Sequence, residues 1–476
     1  MQNKKWQFLI VVGAVAVLAT FAVAQDGRSP GAQKQIVHPY TPPSADSVVQ
    51  RGTVITPQSS VQRPGDAGRF AHTNYKIFQP EGRNLADITP DNTFAEYPAS
   101  LACVYKVGPG YPGCVPANNG KVATGGWGAI ALVDAYDDPK AESDLAAFST
   151  NFGLPAAKFT KVYANTSFGT LNGRTASCSG TPPPAYVKPT TTNKGRDWDI
   201  EESLDVQAAH AMAPNAAIVL VEACSNSSSD LYYAEEVAGI EVSKAGGGDI
   251  SNSWGGGEYA GEVVDDNVFF RYYWSHISYF ASAGDGGWGA GYPSSSPWVV
   301  SAGGTDINRS STEAFVSESC WSGSGGGVSA YEKWQSPPVF GNGMGPWAAF
   351  QYPFAGTGAR QTPDLSFDAD PASGMYVYDS DEGGAPWWVV GGTSLASPAL
   401  AGIANASNDR AGQTLPSGGK YTNRENNLIY AEYDLHLTYP NYFYDVTTGS
   451  NGTGHNAGPN YDQCTGIGSP RGHIGK

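Results

Sequence analysis

The sequence predicts an α/β domain built on a mostly parallel β-sheet with helices on both faces. Two observations carry this. Short, continuously apolar runs recur: "GAIALVDAYDD" at 128–138, "AAIVLVEA" at 216–223, "GGDISNSWGG" at 247–256, "ISYFASAGDGG" at 277–287 and "SPWVVSAGGT" at 296–305. Such runs are strands buried on both faces, as in a parallel sheet. Helix-like stretches lie between them, "DLAAFSTNFG", "EESLDVQAAHAMAP" and "DLYYAEEVAGIEVSKAG". Strand–helix alternation argues for this class, and it puts ligand and catalytic groups at the carboxyl ends of the strands.

The chain opens with Lys4 and Lys5 before an apolar run from Phe8 to Ala24 that ends Ala22-Val23-Ala24. This is a secretory signal pattern, expected to be removed after residue 24. Uncleaved, it would be a membrane anchor, although the run is short for a span. Residues 25–93 are rich in Pro, Gln, Ser and Asp with little apolar periodicity, and read as an extended segment with no core of its own. The texture changes near Tyr97, and residues 94–476 read as a single large domain. No other stretch could cross a bilayer, so the expectation is a secreted monomer with no membrane contact after signal removal.

With 44 acidic against 28 basic residues, the formal charge is −16, which disfavours nucleic acid as a partner. The six cysteines of an exported chain, Cys103, Cys114, Cys178, Cys224, Cys320 and Cys464, suggest three disulfides. Cys103–Cys114 closes a short loop. Cys178–Cys224 and Cys320–Cys464 complete the set without a spacing argument. No C-x-x-C pair occurs, which speaks against zinc or redox chemistry.

"GGTSLASPAL" at 391–400 reads as a strand entering a helix through paired glycines. Ser394 then stands at a helix start, where free N–H groups favour developing negative charge. A serine needs a base. Seven histidines exist: His38, His72, His210, His276, His436, His455 and His473. None has the His-Gly context expected of a subtilisin-type triad. The other source is "GRDWDIEESLDVQAAHAMAP" at 195–214, where Asp199 suits an N-cap, Glu202 its capping-box partner and Pro214 the stop. Glu201 and Asp205, four apart, emerge on one helical face and would share a proton, raising one pKa. Taken alone, these acids read better as a solvated first turn that complements the helix dipole.

The assembled motifs resemble the sedolisin family, the serine-carboxyl peptidases. "GGTSLASP" is similar to the family's nucleophile segment, "EESLD" to its Glu-x-x-x-Asp pair and "ASAGDGG" to its oxyanion segment. "SNSWGGG", "YPSSSPWVVSAGGT", "SGGGVSAYEKW" and "PDLSFDADPASG" follow in the family's order, and the likeness runs from about Tyr97 to Pro470. The resemblance implies a subtilisin-like, doubly wound fold. It implies Ser394 as nucleophile, Glu201 as base, Asp205 as its partner and Asp285 as a protonated donor to the oxyanion. It also implies an endopeptidase acting on proteins or peptides in acid. Asp134 could hydrogen-bond the Glu201–Asp205 pair; Trp254 could donate its indole N–H to the same network or line the cleft. The Gly-, Asn- and Asp-rich stretch 444–470 resembles the family's calcium loop, with Asp445, Val446, Gly458, Asn460 and Asp462 as all-oxygen ligands to one structural Ca²⁺. Asn460 departs from the usual glycine. The segment before residue 94 also departs, being too polar for the large prodomain the family usually carries; it reads either as a short pro-segment acting as an inhibitory strap, or as a sign that folding needs no prodomain or that the activity differs. A non-catalytic peptide- or glycan-binding protein on the same fold, and an esterase using the same serine, are the competing readings.

Overall fold

The structure is a computed structural model that describes residues 35–36, 51–90, 95–116, 120–180, 198–270, 277–333, 358–381, 385–407, 425–426, 429–430 and 439–472. The signal-peptide reading of residues 1–24 lies outside them. In chain order the strands begin with Gln35–Ile36 (β1), Gly52–Ile55 (β2), His72–Thr73 (β3) and Lys76–Pro80 (β4). Ala129–Ala135 (β5), Lys158–Ala164 (β6), Ala217–Ala223 (β7), Gly248–Asn252 (β8) and Trp254–Gly257 (β9) follow, then Ile277–Ser282 (β10), Gly291–Tyr292 (β11), Val299–Arg309 (β12) and Phe315–Cys320 (β13). Gly327–Lys333 (β14), Ala359–Thr362 (β15), Leu365–Asp368 (β16), Met375–Tyr378 (β17) and Trp387–Gly391 (β18) precede the last long helix. The helices are Pro98–Val104 (α1), Ala141–Phe152 (α2), Trp198–Met212 (α3), Ser228–Lys244 (α4), the single turns Glu262–Asp265 (α5) and Asn267–Phe270 (α6), Thr393–Asn405 (α7) and the single turn Tyr439–Tyr442 (α8).

The central sheet runs β6-β7-β5-β8-β10-β12 with every pair parallel. β12 continues past it, pairing in parallel with β16 and antiparallel with the edge strand β13. Its strands are continuously apolar because both faces are covered. In β5, Ala129, Ala131, Val133 and Ala135 enter one hydrophobic cluster, and Ile130 and Leu132 enter the other. One cluster holds residues of α2, α3 and α7; the other holds α4. This is the doubly wound α/β arrangement the alternation predicts. All three expected disulfides are present, with Cα–Cα separations of 5.4, 5.6 and 6.0 Å. No helix among the described residues is long and apolar enough to cross a membrane.

Two local expectations are corrected. The stretch before residue 94 is more than an extended segment: β2 pairs with β4 and β4 with β18, while β3 lies antiparallel on β9. Its few apolar residues are concentrated at Tyr75, Ile77 and Phe78, all fully buried in the domain's own core. Asp199 lies inside the first turn of α3, since Trp198 is already helical, so it is not the N-cap. A solvated first turn is excluded as well, because every residue of α3 is buried.

Candidate active site

β18 ends at Gly391 and α7 begins at Thr393, with Gly392 between them at φ 111°. A Cβ on Gly392 would fall 2.2 Å from Asn74 O and 2.6 Å from Asp285 Oδ2. Only glycine satisfies both the dihedral and the space. The turn sets Ser394 in the first turn of α7, where its N–H is free of intrahelical bonds. α7 packs along α3, which brings Glu201 and Asp205 to the serine. Ser394, Glu201 and Asp205 are all inaccessible to solvent.

Ser253, between β8 and β9, ties the group together. Its hydroxyl donates to Asp205 Oδ1 at 2.6 Å, and its carbonyl accepts from Ser394 Oγ at 3.1 Å. The Ser394 hydroxyl lies near enough to Glu201 to favour the charged form, although its closest hydrogen bond goes to Ser253, and Glu201 does the same for Asp205. Burial first, and then the charges of Asp205 and Asp134, hold the Glu201 carboxyl well above its ordinary range. Burial and Asp134 do the same to Asp205, with the Ser253 bond opposing. Asp134, at the end of β5, is pushed up to about 8 by burial. It hydrogen-bonds neither acid and acts on them through charge. The Trp254 indole N–H goes to Val133 O at 2.9 Å rather than to the acids.

Asp285 faces the same turn from the β10–β11 loop. Its Oδ1 accepts from Thr393 N and Thr393 Oγ1 at 2.8 and 2.9 Å, while the buried Oδ2 has no protein partner. Burial raises its pKa to about 6 against the pull of Lys76 and Thr393. Lys76 Nζ donates to Asp285 O at 2.8 Å. Among the described residues, no histidine hydrogen-bonds Ser394; His210 instead meets Pro155 O at 2.9 Å. His276 lies outside the described residues.

Sequence reasoning missed Asn74, Ser253, Thr393 and Lys76. Ser253 and Thr393 adjoin residues already singled out, and their neighbours were the only signal. Asn74 had none. Its N–H donates to Ser394 Oγ at 3.1 Å, its carbonyl accepts from Ser394 N at 2.9 Å, and its side-chain amide donates to Ser282 Oγ at 2.7 Å. Beside it lies a cavity of about 400 Å³ walled by Gly255–Gly257, Ala283 and Tyr292.

In the tail, Asn460 N donates to both Asp445 oxygens at 3.1 Å, and Gly458 N donates to Asp462 Oδ2 at 2.9 Å. Val446 is buried beside Asp445. Asn460 adopts φ 69°, which accounts for glycine as the usual residue and for asparagine as its tolerated substitute. No cluster of three or more His, Cys, Asp or Glu side chains arranged for a metal occurs among the described residues.

The sheet and the strand–turn–helix serine form a fold of the subtilisin-like class, and the Subtilase family model matches residues 190–416. Within that class the comparisons point one way. Kumamolisin from Bacillus sp. (strain MN-32) is 28% identical over 374 residues, covering 72% of this chain and 58% of the relative. Sedolisin from Pseudomonas sp. (strain 101) is 31% identical over 196 residues, covering 37% and 28%. The solved structure of Pseudomonas sedolisin, a serine-carboxyl proteinase complexed with pseudo-iodotyrostatin, superposes with a TM-score of 0.56 at 22% identity, over 79% of this chain and 96% of that one. On these comparisons the chain is similar to kumamolisin and sedolisin. It matches 58% or less of the length of these curated relatives.

Proposed function

We propose that this protein is a secreted serine-carboxyl endopeptidase that hydrolyses peptide bonds in acid. The observation that carries the reading is a helix-start serine packed against a water-excluded pair of carboxylic acids, with a third acid across the turn. Ser394 Oγ attacks a peptide carbonyl once its hydroxyl turns from Ser253 towards Glu201. Glu201 takes the proton and returns it to the leaving amine; Asp205, held by Ser253, keeps Glu201 in place. The oxyanion forms at the Ser394 N–H beside Asp285 Oδ2. An ionised Asp285 would repel it, whereas a protonated one donates a hydrogen bond.

The tail would hold one structural Ca²⁺. Asp445 and Asp462 lie beside Gly458–Asn460, and with the carbonyls of Val446, Gly458 and Asn460 they would supply an all-oxygen set. Bound there, the ion would brace the loop and take no part in proton transfer.

The test is turnover of a peptide at acid pH by wild type, Ser394→Ala and Glu201→Gln. Each variant should lose at least about 10³-fold in kcat, since nucleophile and base act as a unit. Near-wild-type turnover by Glu201→Gln would remove the carboxylate-base assignment.

A further inference from the structure

We propose that Glu258 with Glu262, and Asp266 with Glu332, form two acid latches behind the cavity beside Ser394, each closed by one shared proton, which hold one wall of that cavity and release it as the medium approaches neutrality; the link to substrate binding rests on the peptidase reading. Glu258 follows Gly257 at the end of β9, Glu262 and Asp266 stand at the two ends of α5, and Glu332 comes from β14. Glu262 is hydrogen-bonded to Glu258, and Asp266 to Glu332. Two carboxylates at that distance only repel, so each contact requires a proton on one partner. No other donor reaches Asp266 Oδ2 or Glu332 Oε1. Glu262, Asp266 and Glu332 are all buried.

The surroundings leave the proton as the bond. Arg360 of β15, which pulls on Glu332, is itself bonded to Asp364, and Arg174 is bonded to Asp265. Burial holds the hydroxyls of Tyr232, Tyr259 and Tyr292 above their ordinary value, so they stay neutral. Burial also pushes Glu262 up to about 8, Asp266 to about 7 and Glu332 to about 9. Below these values a proton is held in each pair; above them it is lost, and paired anions away from water push apart.

The latches reach the cavity through hydrogen bonds. Ser329 Oγ and Ala330 N donate to Glu258, which joins β9 to β14. The Tyr292 hydroxyl donates to Asp266 Oδ1 at 3.2 Å and Ser295 Oγ to Glu262 Oε1 at 3.3 Å, which joins β11 and the loop after it to α5. β11 pairs with β9, Gly291 opposite Gly257 and Tyr292 opposite Gly256, and these four residues line the cavity. Opening a latch therefore loosens the wall against which a peptide is held.

The experiment follows hydrogen exchange by mass spectrometry in the full Ser394→Ala chain from about pH 5 to about pH 8, corrected for the intrinsic exchange rate. Opening frees one proton per latch, so protection across residues 255–262 and 327–333 should fall about tenfold per pH unit for each latch. Adding Glu262→Gln and Glu332→Gln leaves each pair a donor that cannot ionise, and protection should then stay level. In the chain that keeps Ser394, KM for one peptide should rise over the same range and stay flat with the two amides, while the fall in kcat set by Asp285 persists in both. Level protection in the Ser394→Ala chain overturns the latches, whether or not the amide variant folds, and so does a loss that the amides leave unchanged. The expected exchange pattern with an unmoved KM overturns their hold on the cleft. The same pattern in a chain that turns over no peptide leaves the latches standing and overturns the peptidase reading instead.

Discussion

Asp285 offers the sharpest residue-scale test, because a carboxylic acid serves an oxyanion only while it holds its proton. With its pKa raised to about 6, the donor form dominates below that value and is lost above it. kcat/KM on one peptide should therefore fall as pH rises through about 6. A histidine base would give the opposite trend, gaining competence as its imidazolium deprotonates near pH ~6.5. Asp285→Asn keeps a donor that cannot ionise and should extend activity towards neutral pH, with a lower maximum if the amide sits slightly off position. A wild-type profile that climbs to a plateau near neutrality would count against the acid's role. The named acids were readable as residues, but their state was not. Glu201 and Asp205 could equally have been a wet first turn until α3 proved buried on every side. Nothing in the local pattern marked Asn74, whose contact with Ser394 spans 320 positions.

At the scale of elements, the tail loop reaches the oxyanion loop directly. Trp288 N donates to Asn451 O at 2.7 Å, and the Trp288 ring stacks on His455 with centroids 4.1 Å apart. An ion held by Asp445 and Asp462 would stiffen a segment that supports Asp285 from outside. Chelation of calcium-loaded protein should lower the melting temperature, since the ion binds only the folded loop. Asp462→Ala should reproduce that drop and make the protein indifferent to chelator. An unchanged midpoint in both would remove the site. The parallel strands and their helices were legible because continuous apolar runs mean two covered faces. β2, β3 and β4 were not, because strands that borrow another segment's core need only a few apolar side chains, here Val54, Tyr75, Ile77, Phe78 and Ile88.

Over the whole molecule, the buried acids tie folding to protons. Asp134 and Asp285 both sit above the ordinary carboxylate value, to about 8 and 6. A raised folded pKa means that the folded chain binds more protons than the unfolded one between about pH 4 and that value, so stability is full in acid and declines as pH rises. The melting temperature should fall steadily from pH 4 to pH 8, and Asp134→Asn should flatten the slope; a midpoint that rises over that range would contradict the assignment. The same burial also changes how the molecule behaves in an electric field. The −16 counted from the sequence assumes every carboxyl ionised. Folding silences several of them, so the native protein carries fewer negative charges than its denatured chain at the same mildly acidic pH. In isoelectric focusing, the native band should settle at a higher pH than the band of the same protein in urea.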